Sequence, residues 1–184
     1  DNDNIDILKN ITNLKKLNFL SITNNNLTEL PNELFKLDTL ITLKLFLPKV
    51  EKIDKRIGDL VNLTKLTINA PKLKTVPKEI GKLIHLVDLC IANTKIKKLP
   101  IEIFNLKELN EVLMTHNKFK FIPKEIGNLL NLQFLYLDAN ELVELPDEIS
   151  NLEKLEDFTF SNNKFIDTDK IIKKYEKFTL RCRI

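Results

Sequence analysis

The chain has 184 residues, 43% hydrophobic and 30% charged, which is enough apolar material for a sizeable core. Its 29 basic and 26 acidic residues leave a net charge of only +3, which argues against a nucleic-acid-binding protein, where a basic stripe is expected. No apolar run approaches the ~18 residues that a membrane-spanning helix requires, so we expect no membrane insertion.

Leucine recurs every 23 residues along the chain without insertion or deletion. The series consists of Leu14, Leu37, Leu60, Leu83, Leu106, Leu129 and Leu152. A period of this length is the signature of a solenoid, in which each unit buries its apolar face only against its neighbours. The sequence therefore predicts a partial N-terminal unit or cap over residues 1–13, seven units over residues 14–165, and a C-terminal cap over residues 166–184.

Each unit combines a strand pattern with a helical pattern. In the first unit Leu20 and Ile22 alternate with polar residues, as in a short strand, whereas Leu30, Leu34 and Leu37 have helical spacing. Pro31 is predicted at N1, the first position of the helical turn. One strand and one helical turn per unit leave only parallel pairing, with a right-handed return across the back. We therefore predict an α/β solenoid with a concave parallel β-sheet and short helical segments, 3₁₀ or α, on its convex side.

The repeated pattern is L-x-x-L-x-L-x-x-N-x-L followed by L-P-x-x-I-G-x-L. It resembles the 23-residue class of leucine-rich repeat over about residues 14–165. The VPKEIG and IPKEIG segments at residues 76–81 and 122–127 are similar to those of bacterial repeat proteins of spirochaete type, and they also resemble the intracellular Ras-group-related repeat scaffolds. The resemblance implies a leucine-rich-repeat horseshoe that recognises another protein through its concave face, and it implies no enzymatic activity.

A turn position after each strand carries an asparagine in four of the seven units. These structural turn asparagines are Asn25, Asn117, Asn140 and Asn163. Their buried amides are expected to satisfy backbone groups at the strand ends. The second to fourth units carry Pro48, Pro71 and Thr94 instead, so we expect the ladder of asparagines to be interrupted there, either for a function or through drift in a tolerant array.

The outward side chains of the predicted strands form the candidate binding face, because their neighbours on each strand fill the core. Exposed apolar side chains and a change from basic to acidic residues distinguish this face. The candidate partner-binding residues are Phe19, Lys44, Phe46, Leu47, Lys65, Asp88, Glu111, Leu113, Phe134, Tyr136 and Asp138. Ordinary variation between units is the alternative interpretation.

A column of lysines follows the turn position and predicts a basic rim beside the sheet. Its members are Lys49, Lys72, Lys95, Lys118 and Lys164. Neighbouring members should lie about 4.8 Å apart if they follow the spacing of the strands. A repeat consensus that serves solubility is the alternative interpretation of this column.

The C-terminal residues depart from the repeat. Asp167 is placed to cap a helix that carries Ile171, Ile172, Tyr175 and Phe178 on one face. After it, alternating apolar residues predict a last strand that closes the open edge of the sheet. Those residues are Leu180, Cys182 and Ile184.

No motif for catalysis, a cofactor or a metal occurs in the sequence, and the two histidines, His85 and His116, fall at different positions of the unit. Cys90 and Cys182 are roughly four units apart, or about 19 Å at the strand spacing, whereas a disulfide requires about 7 Å or less between Cα atoms. We therefore expect two free thiols. They slightly favour a cytoplasmic location, with a secreted or cell-surface location as the alternative.

These patterns favour a monomeric, non-catalytic protein–protein interaction module that needs no cofactor and binds its partner on the concave face. Two other functions remain open. The chain could serve as an adhesive or structural surface module that acts by repetition, or as the targeting arm of a larger multidomain protein. An upstream signal peptide would favour the first, and a flanking catalytic domain would favour the second.

Overall fold

The computed structural model describes residues 11–178 and contains one parallel sheet whose seven strands follow chain order. The strands are β1 (Phe19–Thr23), β2 (Thr42–Phe46), β3 (Lys65–Asn69), β4 (Asp88–Ala92), β5 (Glu111–Leu113), β6 (Phe134–Tyr136) and β7 (Asp157–Thr159). This architecture confirms the predicted α/β solenoid. Residues 1–10 of the predicted N-terminal cap and the predicted strand with Leu180, Cys182 and Ile184 lie outside the described residues.

The register of the sheet follows the repeat without slippage. Phe19 pairs with Thr42, Thr42 with Lys65, and Lys65 with Asp88, so each residue lies beside the residue 23 positions later. Because successive side chains of a strand point to opposite faces, this register stacks equivalent side chains into columns across the sheet. The columns on one face form the core, and those on the other face form the concave surface.

Six 3₁₀ segments lie on the convex side, one after each of the first six strands. They are Asn32–Lys36, Lys55–Asp59, Lys78–Lys82, Ile101–Asn105, Lys124–Asn128 and Asp147–Asn151. A proline with extended backbone precedes five of them and occupies the N-cap, one position earlier than the sequence pattern predicts. In the remaining segment Asp54 is the N-cap, and its carboxylate accepts the backbone N–H of Arg56 at 2.8 Å.

The core is a column of aliphatic side chains between the sheet and the convex segments. Leu43 and Leu66, at equivalent positions of β2 and β3, are fully buried, and Val112 is 1% exposed. The apolar side chains of the first unit are less well shielded from solvent, because Leu17 is only partly buried and Leu14 is 53% exposed. The first unit is thus the least protected part of the described array.

Glycine and phenylalanine share one position in the convex segments and set the spacing there. A Cβ atom on Gly58 would lie 2.4 Å from the backbone oxygen of Glu79, so only glycine fits between these two segments. The equivalent residues Phe35 and Phe104 are buried, and the Arg56 guanidinium of the next segment stacks over the Phe35 ring at 4.8 Å. We call Phe35 and Phe104 the phenylalanine wedges, because each puts a ring at the repeat position where Gly58 leaves no room for a Cβ atom.

The helix α1 (Thr168–Tyr175) covers the C-terminal end of the array. Asp167 caps it by accepting the backbone N–H of Lys170 at 2.9 Å. The ring of Tyr175 is fully buried against Phe158, and its hydroxyl donates to the carbonyl oxygen of Pro146 at 2.8 Å. This contact joins the helix both to the sheet and to the last convex segment.

In the described part of the chain, no helix has the length and apolar character needed to cross a membrane.

Candidate functional site

A ladder of side-chain amides holds the turns after the later strands. The Asn140 Nδ2 donates to the carbonyl oxygen of Met114 at 2.8 Å, and its Oδ1 accepts the N–H of Phe119 at 3.2 Å. Asn117 and Asn163 donate in the same way to carbonyls of the preceding unit, at 2.7 and 3.0 Å. Each amide therefore joins its turn to the unit before, and Asn140 and Asn163 also donate to carbonyls of their own turns, which gives the C-terminal ends of these strands a defined shape.

Thr94 continues this ladder, contrary to the expected three-unit interruption. Its hydroxyl donates to Asn117 Oδ1 at 2.5 Å and accepts the N–H of Ile96 at 3.1 Å. A threonine hydroxyl can do both because it carries one proton and two lone pairs. The interruption is therefore limited to Pro48 and Pro71.

Asn25 does not take the structural role that its position in the repeat predicts. Its side chain is exposed, and the carboxamide of the preceding residue, Asn24, instead accepts the N–H groups of Asn26 and Leu27 at 2.8 and 2.9 Å. A carboxamide that bonds backbone groups two and three residues ahead closes the turn locally. The first unit thus replaces the link between units by a local turn.

Leu47 is fully buried and does not belong to the exposed binding face. The N–H of Val50 bonds the Leu47 carbonyl at 3.3 Å, and Pro48 stands between them at the turn position that favours its fixed φ. This turn directs Leu47 into the core, and Ala70 before Pro71 is buried in the same way. In the later units the equivalent residues have left-handed backbone, with φ of 53–56° at Asn93, His116, Ala139 and Asn162.

An apolar strip crosses the middle of the concave face. It consists of Cys90, Leu113 and Tyr136, which lie side by side on β4, β5 and β6 and are each half-buried. Phe134 lies two residues before Tyr136 on the same face and is also half-buried, with Glu111 and Asp157 as its register neighbours. Sequence reasoning omits Cys90 from the candidate residues, although the alternation of β4 predicts that its side chain points outward.

Two candidate acidic residues are already engaged in contacts within the chain. Asp88 forms an ion pair with Lys65 at 2.5 Å, which neutralises the boundary between the basic and acidic parts of the face. Asp138 accepts the hydroxyl of Thr159 and, at 2.7 Å, the N–H of Ser161. Within residues 11–178, Glu111 has no ion-pair partner, so it is the candidate carboxylate most available to a ligand.

The remaining candidates form a second, separate group on β1 and β2. Phe19 is 51% exposed, and the ammonium group of Lys44 lies 5.9 Å from the centre of its ring. Phe46 is also exposed, at the opposite end of β2. The structure therefore divides the candidate residues into a β1–β2 group and the group around the apolar strip. A depression of about 220 Å³, lined by Lys44 and Lys65 on one side and Glu111 and Leu113 on the other, lies between them.

Cys90 carries a thiol that is protonated at neutral pH. Burial, with a smaller contribution from Glu111, raises its pKa to about 11. Because the thiolate is the nucleophilic and metal-binding form, this cysteine contributes an apolar contact surface rather than a reactive group. In the part of the chain that the structure describes, no three histidine, cysteine or carboxylate side chains are grouped as a metal site would require.

The lysines of the rim differ in whether an acidic side chain neutralises their charge. Lys118 and Lys164 both form ion pairs with Glu141, at 3.3 and 3.2 Å, and these two lysines lower the pKa of that carboxyl. Between residues 11 and 178 no acidic side chain forms an ion pair with Lys72 or Lys95. The rim is consequently neutralised towards the C-terminus and remains positive in the middle of the array.

Comparisons with known proteins identify the family whose models match this chain. The chain matches the model of the leucine-rich repeat region over residues 72–179 and the model of a single leucine-rich repeat over residues 16–37. A search of the curated proteins gives no significant match.

Among solved structures, a leucine-rich repeat protein of Leptospira interrogans is 32% identical, with a TM-score of 0.84. The alignment covers 96% of this chain and 44% of the Leptospira chain, so this chain spans less than half of that protein. An internalin of Listeria monocytogenes has a TM-score of 0.66 at 18% identity, with 92% of this chain and 54% of that chain covered. Internalin C2 of the same species has a TM-score of 0.67 at 23% identity, with 88% and 67% covered, and both internalins share the fold.

Proposed function

The chain belongs to the leucine-rich repeat proteins, and from that premise we propose that it binds another protein on the concave face of its sheet. Leucine-rich repeats commonly act as protein-interaction modules, and the similar solved structures are a leucine-rich repeat protein and internalins from bacteria. The proposed action is recognition without catalysis, and the partner is a protein rather than a nucleic acid.

The apolar strip is the observation that carries this proposal. Cys90, Leu113 and Tyr136 present neighbouring apolar surface on a rigid sheet, and Phe134 enlarges it. Aromatic and aliphatic anchors surrounded by polar groups are the usual centre of a protein interface. Since Glu111 beside the strip lacks an ion-pair partner within residues 11–178, we propose that the partner inserts apolar side chains here and places a basic group near Glu111.

The size of the sheet indicates that the partner also contacts a rim. Seven strands about 4.8 Å apart span roughly 29 Å, and a five-residue strand is about 16 Å long, so the strand face offers roughly 450 Å². A standard protein interface buries about 800 Å² per partner. A stable complex would therefore extend from the strands to the lysine rim or to the turn at Phe46 and Pro48.

A crosslinking experiment tests the binding face directly. A photoreactive phenylalanine analogue at Tyr136 would capture the partner, and the same analogue at Lys78 on the convex side serves as the matched control. With the captured protein purified, Tyr136→Ala or Phe134→Ala should weaken binding about fivefold or more, because central aromatic anchors each contribute more than ~1 kcal/mol. If affinity responded to Lys78→Glu and ignored both aromatic substitutions, the partner would bind on the convex side and the proposal would be wrong.

A further inference from the structure

A groove opens on the flank of the solenoid between the fourth and fifth units, where the chain runs from the turn to the convex segment. It has a volume of about 430 Å³. Its lining combines apolar and basic side chains, namely Leu99, Phe121, Pro123, Lys97, Lys98 and Lys120. We call it the flank groove. Its lining shares no residue with the candidate binding face.

The flank of the solenoid is hydrogen-bonded between some neighbouring units but not at the groove. The N–H of Lys74 bonds the Glu51 carbonyl at 3.3 Å, and that of Val143 bonds the Lys120 carbonyl at 3.2 Å, which closes the flank between other units. Among the described residues, no equivalent bond joins Lys120 to Lys97, or Lys97 to Lys74, so the fourth unit is not held to its neighbours in this way. One of the phenylalanine wedges, Phe104, is buried in the convex segment that follows Leu99, so a ring stands here at the position that glycine holds in the third and fifth units.

The apolar lining of the groove is more exposed than the fold requires. Leu99 is only partly buried, whereas Ile53, Val76 and Ile122 at the equivalent positions are 5–7% exposed. The ring of Phe121 is 54% exposed. Two adjacent large apolar side chains left open to water in a concave site indicate a binding position for another apolar group.

The charge around the groove is strongly positive. In the part of the chain that the structure describes, Lys97, Lys98 and Lys120 form no ion pair, and no acidic residue lines the groove. On the same flank, Glu51 pairs with Lys74 at 2.6 Å and Glu141 pairs with two lysines of the rim. Glu144 holds the position of Phe121 in the next unit but does not line the groove. The groove therefore has uncompensated positive charge around an apolar floor.

We propose that the flank groove binds an acidic segment of a protein, which inserts one large apolar or aromatic side chain between Leu99 and Phe121. The three lysines complement the carboxylates of the segment, and the apolar floor accepts the inserted side chain. The combination distinguishes this partner from a simple polyanion, which would satisfy the lysines and leave Leu99 and Phe121 uncovered. This interaction is independent of the concave face and gives the solenoid a second binding surface.

Fluorescence anisotropy with a short fluorescein-labelled peptide tests the proposal. The probe peptide contains aspartate and glutamate around one central phenylalanine, and the comparison peptide carries serine in place of the phenylalanine. The comparison peptide should bind about tenfold more weakly than the probe, because the inserted ring supplies much of the binding energy. Phe121→Ser should remove this difference, and its side chain is exposed enough for the variant to keep its circular dichroism spectrum.

Charge variants distinguish binding in the flank groove from attraction by the overall charge of the protein. Lys97→Glu combined with Lys120→Glu should abolish binding of the probe peptide, whereas Lys78→Glu combined with Lys124→Glu changes the net charge equally on the convex side and should leave binding nearly unchanged. Tyr136→Ala should also leave it unchanged. Equal binding of both peptides, or binding of heparin or of anionic phospholipid vesicles that is as tight as that of the probe and insensitive to Phe121→Ser, would overturn the proposal.

Discussion

Asn140 shows how one side chain determines the shape of a turn. Its amide bonds the Met114 carbonyl and the Phe119 N–H, and it is only 6% exposed. Asn140→Ala should lower the free energy of unfolding by about 1–3 kcal/mol, because it leaves buried backbone groups without partners. Urea denaturation monitored by circular dichroism would measure this loss.

Asn25→Ala is the matched control for that prediction. Asn25 occupies the same position of the first unit but is exposed, so its replacement should change stability by no more than about 0.5 kcal/mol. Equal losses for the two variants would show that the buried amide bonds are not what stabilises the turn.

The carboxyl group of Asp54 has a strongly lowered pKa. The Arg56 side chain and, next, the Arg56 backbone N–H lower its pKa from 3.8 to about 2. Since the folded pKa lies below the unfolded one, the contribution of this carboxylate to stability is complete above pH 3.8 and is lost as the pH falls towards 2.

Carboxyl NMR titration would measure this pKa directly. Arg56→Gln should raise the Asp54 pKa only part of the way to 3.8, because the backbone N–H still donates to the carboxylate. Lys55→Gln, which removes a charge with a smaller effect on this carboxyl, should leave the pKa nearly the same. A larger effect of Lys55→Gln than of Arg56→Gln would contradict the assigned cause.

At the scale of elements, the convex segments depend on glycine where they approach most closely. Gly58→Ala would place a Cβ atom 2.4 Å from the Glu79 backbone oxygen, so the segments must move apart at a cost of about 1–3 kcal/mol. Ser150→Ala alters the same position of the last described segment, where a Cβ is already present, and should cost no more than about 0.5 kcal/mol. Thermal unfolding would rank the two variants, and equal midpoints would refute the close-approach argument.

The strands and convex segments follow from the sequence because apolar spacing of two, three and four residues directly reports which face is buried. The conformations of the turns are predicted less well from the sequence. Leu47 continues the alternation of Leu43 and Leu45 into the core. In the later units the residue at the same position has left-handed backbone, so the alternation ends earlier there. The repeat consensus does not report where the alternation ends, because that depends on the backbone geometry of each turn.

At the scale of the whole molecule, stability should decrease towards the N-terminal end. Each unit contacts only its neighbours, and Leu20 of β1 is partly buried whereas Leu89 of β4 is 1% exposed. Hydrogen exchange followed by mass spectrometry should therefore find faster exchange in Phe19–Thr23 than in Asp88–Ala92. Leu43→Ala should accelerate exchange in β1 more than in β7, whereas uniform acceleration would indicate that the array unfolds as one cooperative unit.

The two proposed surfaces differ in how far the sequence predicts them. Alternation along the strands identifies most of the concave residues, because a strand position alone decides whether a side chain points outward. The flank groove depends on relations between units. Leu99 occupies a core position of the repeat, and its partial exposure becomes visible only when its distance from the next unit is known.

The constant spacing of 23 residues between register partners has a consequence for inheritance. An unequal crossover between equivalent positions of two units removes or adds a whole unit and leaves every later pairing intact. Loss of residues 88–110 would join Val87 to Glu111, and Glu111 would then lie beside Lys65 in place of Asp88. The descendant gene would encode a shorter face that still carries opposite charges on neighbouring strands, so recombination alone is able to produce new combinations of binding residues on an unchanged scaffold.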